Sequence, residues 1–355
     1  MANKVLVGVS GGVDSSVSAA ILKEKGYEVT GAFMKNWEDD DGTPYCSVKE
    51  DFLDAARVCD KLDIELIQLN FSKEYKEKVF EYFLASLKEG KTPNPDIFCN
   101  KFIKFEAFYD YAMTNNFDNI ATGHYCQLEQ KNDEYLLKKS QDQSKDQTYF
   151  LNGIEKEVLK KCIFPIGNIE KSEVRKIAKD KKLVTFDKKD STGICFIGER
   201  PFPDFLSNYL PQKKGDIFDE NSNLIGKHNG VHFYTLGQRQ GLGIGGVKGS
   251  SEQPWYVAAK DNLNNSLTVV QDNNHPLLFN SELEVKKINW LVSKLPNLNN
   301  LNCKIRYRQK DQLCSLEETS NGWIVFFEEP QRAITPGQSI VFYDGNICLG
   351  GGEID

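Results

Sequence analysis

The sequence lacks the features of several large protein classes. Its 355 residues contain no apolar run of about 18 residues, and no signal-peptide pattern precedes the first apolar segment. We therefore expect a cytoplasmic protein with no membrane partner. Nine cysteines are present, but no two of them form a C-x-x-C pair, which argues against a zinc site or a redox motif. Their odd number argues against a disulfide framework, and no metal site is assigned.

An excess of positive charge is also missing. The chain carries 44 basic and 51 acidic residues, a net charge of −7, which is a mild argument against a nucleic-acid partner. Local basic patches can override it. The stretch from Lys171 to Lys189 holds eight basic and three acidic residues, and this excess slightly favours a phosphate-backbone surface over a merely solvated helix face.

The most informative stretch is Lys4 to Gly26, which reads as a buried strand, a glycine loop and the start of a helix. A helix N-terminus presents unpaired N–H groups, and two glycines allow a phosphate to approach that backbone closely. Asp14 would repel a bare phosphate unless it holds Mg²⁺ or orients a hydroxyl. An ordinary turn that binds nothing is the alternative, and the carboxylate makes it the weaker one.

This loop has neither the Gly-Lys-Ser/Thr ending of a Walker A motif nor the Rossmann G-x-G-x-x-G spacing. Its letters SGGVDS instead resemble the loop of the ATP-pyrophosphatase superfamily. That resemblance implies cleavage of ATP between the α and β phosphates, with transfer of AMP to a substrate oxygen. It also implies an α/β, Rossmann-like fold of the adenine nucleotide alpha hydrolase type.

The order of elements predicts the same fold class. Strand patterns at 28–34 and 64–70 enclose a helical face at 52–62, and such alternation is typical of a parallel, doubly wound sheet with ligands at the carboxyl ends of its strands. Beyond Pro201 the pattern changes to short strands separated by turns. We predict a catalytic domain at 1–205, a small mostly-β domain at 206–274 and a C-terminal β-barrel at 275–355.

Two cysteines differ from the others because each lies in a polar turn. Cys195 follows Thr192-Gly193, and Cys99 follows Asp96, a plausible N-cap of the next helix. A thiol in the first turn of a helix is partly ionised at neutral pH, so Cys99 is a candidate reactive group. An inert thiol is the alternative for either residue.

Other segments leave functional and structural readings open. His124 ends a short strand at the ligand edge, where packing beside a nucleotide is favoured over catalysis. The letters CKIRYRQK at 303–310 predict a strand with four cations on one face, suited to an RNA backbone or simply exposed. The acidic run at 38–41 is assigned no site. A glycine-rich stretch at 241–246 is not followed by a helix, so it predicts a loop rather than dinucleotide binding.

Motifs along nearly the whole chain resemble those of the tRNA 2-thiouridylase family, whose members thiolate the wobble uridine of tRNA. They are GVSGGVDSS, AFMKNWEDDDG, TPNPDIFCNKFIKF, ATGHY, KDQTYFL, DSTGICFIGER, YTLGQRQGLGIGG, WYVAAKD and IRYRQ. The resemblance implies ATP with Mg²⁺ as cofactor, the anticodon arm of tRNA as partner, and an upstream sulfur donor, either a cysteine desulfurase or a sulfur relay protein.

The resemblance also implies roles for individual residues. Cys195 would carry a persulfide, Cys99 would form a disulfide with it as sulfur leaves, and Asp96 would be an acid/base. The implied ATP site comprises Gly8, Val9, Ser10, Gly11, Gly12, Val13, Asp14, Ser15, Met34 and Gly123. The implied tRNA contacts are Asn94, Pro95 and Asp96 at the target base and Lys145, Asp146, Gln147, Arg306 and Tyr307 elsewhere.

Two alternative functions remain open at this point. A related adenylating enzyme could form a C–N bond, which requires no paired thiols. A nucleotide-gated RNA-binding protein would bind ATP without splitting it. Release of pyrophosphate on addition of tRNA distinguishes the second alternative from both enzymes.

Overall fold

The computed structural model describes residues 3–38, 48–190, 202–244 and 253–355. The N-terminal part is built on a parallel sheet of five strands in the order β3-β2-β1-β4-β7. These strands are β1 (Lys4–Gly8), β2 (Glu28–Lys35), β3 (Glu65–Asn70), β4 (Asn119–Ala121) and β7 (Cys162–Ile163). The predicted doubly wound α/β fold is confirmed.

Helices cover both faces of this sheet. The helices that are α-helical throughout are Val13–Glu24, Val48–Leu62, Lys156–Leu159 and Lys171–Asp180, followed in the chain by Phe202–Ser207. Two longer helices contain π-helical turns: one runs through Ser72–Tyr75, Lys76–Phe80 and Glu81–Lys88, the other through Pro95–Phe98, Cys99–Ala107 and Phe108–Thr114. Among the described residues, no helix is both long and apolar enough to cross a membrane.

Strand β1 shows why its sequence is apolar without alternation. Val5, Leu6 and Val7 are all fully buried. Val5 and Val7 pack into a cluster with helix residues such as Leu22, whereas Leu6 belongs to the larger cluster that contains Phe108. Successive side chains of a strand point to opposite faces, so a strand with helices on both faces needs apolar residues at every position.

The middle part forms a smaller, four-stranded sheet in the order β10-β11-β8-β9. Its strands are β8 (Gly215–Phe218), β9 (Leu224–His228), β10 (Trp255–Asp261) and β11 (Ser266–Gln271). Ile217, Val257 and Leu267 are fully buried at its centre. The predicted mostly-β character is confirmed. The glycine-rich stretch at 241–246 lies only partly within the described residues.

The C-terminal part is a nine-stranded sheet around a second core. Its strands are β12 (Phe279–Val285), β13 (Asn289–Trp290), β14 (Leu301–Lys304), β15 (Gln312–Thr319), β16 (Gly322–Arg332), β17 (Ser339–Asp344) and β18 (Ile347–Glu353), together with β5 (Cys126–Lys131) and β6 (Glu134–Lys139). Pairing of Lys138 with Ile347 joins the early hairpin to the barrel. The N-terminal and C-terminal parts are thus connected through one sheet.

One expected strand ends early. Strand β14 stops at Lys304, and 305–308 form a turn, so the four cations between 303 and 310 do not share one face. Lys304 points inward, with its ammonium 3.7 Å from a carboxylate oxygen of Asp311 and above the ring of Tyr343. Removing this ammonium from solvent costs free energy, and the ion pair and the cation–π contact offset that cost. The sequence pattern alone could not indicate either contact.

Candidate functional site

The glycine loop lies between the carboxyl end of β1 and the helix Val13–Glu24. Gly11 has a φ of +74°, and a Cβ there would lie 2.3 Å from the carbonyl oxygen of Asp51, so only glycine fits. Gly12 is the N-cap and offers no side-chain hydrogen bond to the first turn. Backbone N–H groups of that turn are therefore available to an anion, as a phosphate cradle requires.

Gly123 closes the loop from the opposite side. It follows β4, which neighbours β1, and the sheet order changes direction between these two strands. A Cβ on Gly123 would lie 2.7 Å from the backbone nitrogen of Ser15. The absence of a side chain lets this segment touch the helix start, at the crevice where doubly wound sheets bind ligands.

Two further predicted ATP residues lie on the other side of the loop. They are Gly8 and Met34. A Cβ added at Gly8 would lie 3.2 Å from the terminal methyl of Met34 and 3.9 Å from the ring of Phe108. The loop hydroxyls bond mostly within the loop. Ser16 donates to the Gly12 carbonyl at 2.7 Å, and the Ser15 hydroxyl lies 3.2 Å from that of Ser10. Ser10 is exposed and remains the most accessible hydroxyl of the three.

The carboxylate of Asp14 is held by two residues distant in sequence. The Lys171 ammonium donates to both carboxylate oxygens at 2.7 and 2.8 Å, and the Tyr125 hydroxyl donates to one of them at 2.8 Å. Burial and the negative charge of Asp14 raise the pKa of Tyr125, so this phenol stays protonated and donates. About a third of the Asp14 side chain remains exposed, which leaves it reachable by a ligand.

Lys171 also contacts Asp190, whose carboxylate collects three cations. Lys145, Lys171 and Arg175 approach it at 2.8, 2.9 and 2.8 Å. Partial burial raises the pKa of Asp190, but the hydrogen bonds from Lys145 and Lys171 outweigh it and lower the pKa to about 2. Asp190 is therefore ionised at neutral pH and connects the turn at Lys145 to the glycine loop.

Part of the basic run from Lys171 to Lys189 is engaged in ion pairs within the protein. Besides Lys171 and Arg175, Lys188 pairs with Asp51 and Asp54 at 2.8 and 2.7 Å. These ion pairs argue against the run acting as one continuous phosphate-backbone surface. The pair of Lys171 with Asp14 instead holds the helix Lys171–Asp180 against the glycine loop.

His124 is buried and neutral. Its Nδ1 lies 2.7 Å from the Thr122 hydroxyl, and its ring packs near Phe105 and Phe164. Burial, followed by the nearby charge of Lys104, lowers the pKa of His124 well below its usual value. This environment fits the packing role favoured by the sequence better than a proton-transfer role.

Cys99 differs from its sequence expectation. It is fully buried in the large core cluster rather than placed in a polar turn. Asn94, not Asp96, is the N-cap of its helix, and the Asn94 side chain accepts a hydrogen bond from the Asp96 backbone at 3.1 Å. Asp96 lies in the first turn, and Cys99 follows one turn later. The two prolines at 93 and 95 explain the shift, because Pro95 suits the first helical position and forces Asn94 to be extended.

Phe150 lies between the helix of Cys99 and the turn that carries Tyr307. Asn100 donates to the carbonyl of Phe150 at 3.2 Å, and the Phe150 ring lies 4.4 Å from that of Tyr307. The predicted tRNA pair Arg306-Tyr307 therefore lies near the predicted target-base segment, although about 200 residues separate them in the chain. Arg306 donates to the carbonyl of Ala333 at 2.9 Å and remains exposed.

A cavity of about 500 Å³ adjoins this turn of the barrel. Its lining includes the side chains of Arg306, Arg308 and Arg332 beside those of Gln309 and Gln331. Such a combination of cations and amides suits a phosphate or a base edge.

The predicted tRNA contacts at 145–147 face in different directions. Asp146 is buried, and its carboxylate accepts hydrogen bonds from the Ser140 backbone and the Thr148 hydroxyl at 3.1 and 2.8 Å. This placement argues against direct contact of its side chain with tRNA. Gln147 accepts a bond from the Tyr125 backbone at 2.9 Å, whereas the Lys145 side chain is more than a third exposed.

Besides the glycine-rich stretch, two further predictions fall partly or mostly outside the described residues. Cys195 lies there together with all of its motif except the first residue, Asp190. The acidic run does so except for Glu38, which hydrogen-bonds to Asn70 at 2.8 Å. In the described ranges, no group of three or more histidine, cysteine or acidic side chains is arranged to hold a metal. The sequence did not single out Tyr125 or Asp190, since no local pattern shows that they meet Asp14 and Lys171.

Comparisons with known proteins cover the whole chain. Residues 3–199, 203–271 and 280–354 match family models described as the tRNA methyl transferase HUP domain, the tRNA methyl transferase PRC-barrel domain and the aminomethyltransferase beta-barrel domain. Among solved structures, a 4-thiouridine synthetase–RNA complex with bound ATP matches 58% of this chain and 49% of its own at 16% identity, with a TM-score of 0.35. An NMN synthetase from Francisella tularensis matches 53% and 66% at 20% identity, with a TM-score of 0.33. These TM-scores are too low for either likeness to carry an argument.

Full-length relatives are far more similar. The tRNA-specific 2-thiouridylase MnmA of Francisella philomiragia subsp. philomiragia is 56% identical over 356 residues, which is 99% of both chains. The protein of the same name from Francisella tularensis subsp. tularensis strain SCHU S4 is 57% identical over 355 residues, with the same coverage. Identity at this level over the full length of both proteins, with all three family models in order, shows that the chain belongs to the tRNA-specific 2-thiouridylase family.

Proposed function

We propose that this protein catalyses ATP-dependent 2-thiolation of the wobble uridine of tRNA in the cytoplasm. The observation that carries the proposal is that the glycine loop, Gly123 and the helix of Cys99 meet at one edge of the parallel sheet. Phe108 of that helix lies near Gly8, and Phe105 lies beside His124. Cys99 lies six residues before Phe105 on the same helix, and both are buried in the same core cluster. The names of the full-length relatives support tRNA as the substrate.

ATP solves a leaving-group problem in this reaction. The C2 oxygen of uridine is a very poor leaving group, and transfer of AMP to it releases pyrophosphate and makes AMP the leaving group. We propose that the loop 8–15, Met34 and Gly123 bind ATP, with its phosphates at the start of the helix Val13–Glu24. The exposed part of the Asp14 carboxylate fits a hard cation, and Mg²⁺ held there would neutralise phosphate charge.

Sulfur transfer follows adenylation and requires two thiols, those of Cys195 and Cys99. Cys195 carries a persulfide, and its outer sulfur attacks C2 while AMP departs with the original oxygen. The Cys99 thiolate then attacks the Cys195 sulfur, so that the new C–S group leaves and a Cys99–Cys195 disulfide forms. An external thiol supplies the two electrons that reduce this disulfide. A cysteine desulfurase or sulfur relay protein reloads Cys195.

The tRNA contacts follow the same surface. We propose that Asn94, Pro95 and Asp96 face the target base, with Asp96 as acid/base, and that Lys145, Gln147, Arg306 and Tyr307 contact the anticodon arm. The partial exposure of Lys145 and the exposure of Arg306 support this assignment. We also propose domain boundaries at 1–205, 206–274 and 275–355.

The decisive experiment follows sulfur and oxygen together. The protein is incubated with ATP, a cysteine desulfurase with cysteine as the sulfur source, and tRNA carrying ¹⁸O at uridine C2. The proposal expects sulfur at the wobble uridine and ¹⁸O in the released AMP. Pyrophosphate release without sulfur gain would instead support a C–N ligase, and ATP binding without cleavage would support a nucleotide-gated RNA-binding protein.

We expect Gly123→Ala to weaken ATP binding by about tenfold or more, which is ~1.4 kcal/mol. The new methyl would lie 2.7 Å from the Ser15 nitrogen, so the start of the helix must shift. Calorimetric titration with α,β-methylene-ATP measures the effect. Gly226→Ala is the matched control, because Gly226, like Gly123, has no positive φ, and a Cβ there would meet its nearest atom at 3.5 Å, an ordinary van der Waals distance. Equal affinities of the Gly123→Ala variant and the wild type would remove Gly123 from the ATP site.

We expect loss of the charges of Arg306 and Arg308 to weaken tRNA binding and flatten its salt dependence. Each lost phosphate contact should reduce the log–log slope by about 0.7 to 0.9. Gel-shift titrations at several salt concentrations test the alanine variants, with Lys294→Ala as an exposed control in the same part of the chain. Lys304→Ala should lower the unfolding temperature rather than the slope, because its ammonium faces Asp311 and Tyr343. An unchanged slope at Arg306 and Arg308 would contradict the assignment.

A further inference from the structure

Four charged side chains form an unbroken series across the catalytic part. The Lys145 ammonium lies 2.8 Å from one Asp190 oxygen, and the Lys171 ammonium lies 2.9 Å from the other. The same Lys171 ammonium lies 2.7 Å from Asp14. We call Lys145, Asp190, Lys171 and Asp14 the ion-pair chain. One end is a partly exposed lysine at the proposed tRNA surface, and the other end is the carboxylate of the glycine loop.

Lys171 connects the two halves of the ion-pair chain, because its ammonium contacts the carboxylates of both Asp14 and Asp190. Its side chain is only 11% exposed, so screening by solvent is weak and the competition between Asp14 and Asp190 is strong. Arg175 adds a third cation to Asp190, whereas the contacts on Asp14 come from Lys171 and Tyr125. A change in the charge near one carboxylate therefore changes how firmly Lys171 is held by the other.

The backbone fixes the two ends relative to each other. The Asp142 carboxylate accepts a hydrogen bond from the Lys171 backbone nitrogen at 3.1 Å, and it also accepts one from the Ser144 hydroxyl at 2.6 Å. The turn that carries Lys145 is thus tied to the start of the helix that carries Lys171. Only the side chains of the ion-pair chain need to move when a ligand arrives.

The direction of the effect follows from charge. A tRNA phosphate beside Lys145 competes with Asp190 for that ammonium. Asp190 then attracts Lys171 more strongly, and Lys171 releases Asp14 for Mg²⁺ and ATP phosphates. We infer that the ion-pair chain couples tRNA binding to ATP binding, with Lys171 and Asp190 as positioning residues. This inference rests on the proposed function, because it requires that both ligands bind.

The test measures binding rather than turnover. Affinity for α,β-methylene-ATP with Mg²⁺ is determined by calorimetry with and without saturating tRNA, and the ratio is the coupling factor. Wild-type protein should bind the nucleotide more tightly with tRNA, by about fivefold or more. Asp190→Asn should bring the factor close to one. Glu173→Gln is the matched control, because it makes the same acid-to-amide change in an exposed ion pair on the helix Lys171–Asp180. It should leave the coupling factor unchanged.

A second variant protects the test against misfolding. Lys145→Gln alters only the partly exposed end of the ion-pair chain and should also lower the coupling factor, measured at saturating tRNA. A wild-type coupling factor of one, or an Asp190→Asn protein that folds and retains the wild-type factor, would overturn the inference and leave the proposed function intact. Wild-type protein that binds no nucleotide would overturn both.

Discussion

Cys195→Ser should stop sulfur transfer to tRNA while adenylation continues. A hydroxyl cannot carry transferable sulfur, so the variant should not be loaded by the donor protein, yet pyrophosphate release depends on the glycine loop and should persist. Loss of a covalent catalytic group should lower thiolation by at least about 10³-fold. Labelled-sulfur loading and pyrophosphate release, measured on the same sample, test both parts of this expectation.

Cys99→Ser should fail at a later step. It should accept labelled sulfur at Cys195 but not pass it on, because no second thiol takes the disulfide bond. Cys126→Ser is the matched control, since Cys126 is equally buried in the same core cluster and has no proposed role. Wild-type protein after one turnover without reductant should contain a Cys99–Cys195 disulfide in a non-reducing peptide map.

The complete burial of Cys99 sharpens this expectation. A disulfide requires the two Cα atoms to come within about 7 Å, so Cys195 must reach the core side of the helix that begins at Pro95. Sulfur found on a third cysteine, or full turnover by the Cys195→Ser protein, would contradict the assignment and reopen the C–N ligase alternative.

Asp14→Ala should nearly abolish adenylation and leave tRNA affinity largely intact. Asp14 lies in the first turn of the helix where the phosphates are proposed to bind, and its carboxylate is about a third exposed. Its removal would take away the carboxylate proposed to hold Mg²⁺ beside the phosphates. We expect a fall in the rate of pyrophosphate release of roughly 10²- to 10³-fold, the size seen when a charge-stabilising group is removed. Gel-shift affinity for tRNA is measured in parallel.

The control for this variant is Asp54→Ala. Asp54 also forms an ion pair with a lysine, Lys188, at 2.7 Å, but it lies on the helix Val48–Leu62 rather than in the loop. Its loss should change stability slightly and adenylation little. Adenylation by Asp14→Ala at the wild-type rate would show that the loop assignment is wrong.

The sequence was sufficient where a property is local. The apolar run of β1 and the break at Ser10-Gly11-Gly12 predicted a buried strand, a loop and a helix start, because burial on both faces and positive φ leave direct marks in the residue types. Alternation of strands and helices likewise predicted the parallel sheet. The sequence pattern misplaced the N-cap of the helix that begins at Pro95 by two residues. Asn94 and Asp96 are equally good caps, and Pro95 decided between them because proline suits the first helical position.

Only the tertiary structure decided which distant side chains meet. Lys171 stands 157 positions from Asp14, and nothing local distinguishes it from its basic neighbours in 171–189. The strand expected at 303–310 ends at Lys304, whose ammonium faces Asp311 and Tyr343. Cys99 is buried because its side of the helix packs into the large core cluster. Local sequence thus determined the fold class and the loop, whereas long-range packing and charge pairing determined the environment in which each proposed residue works.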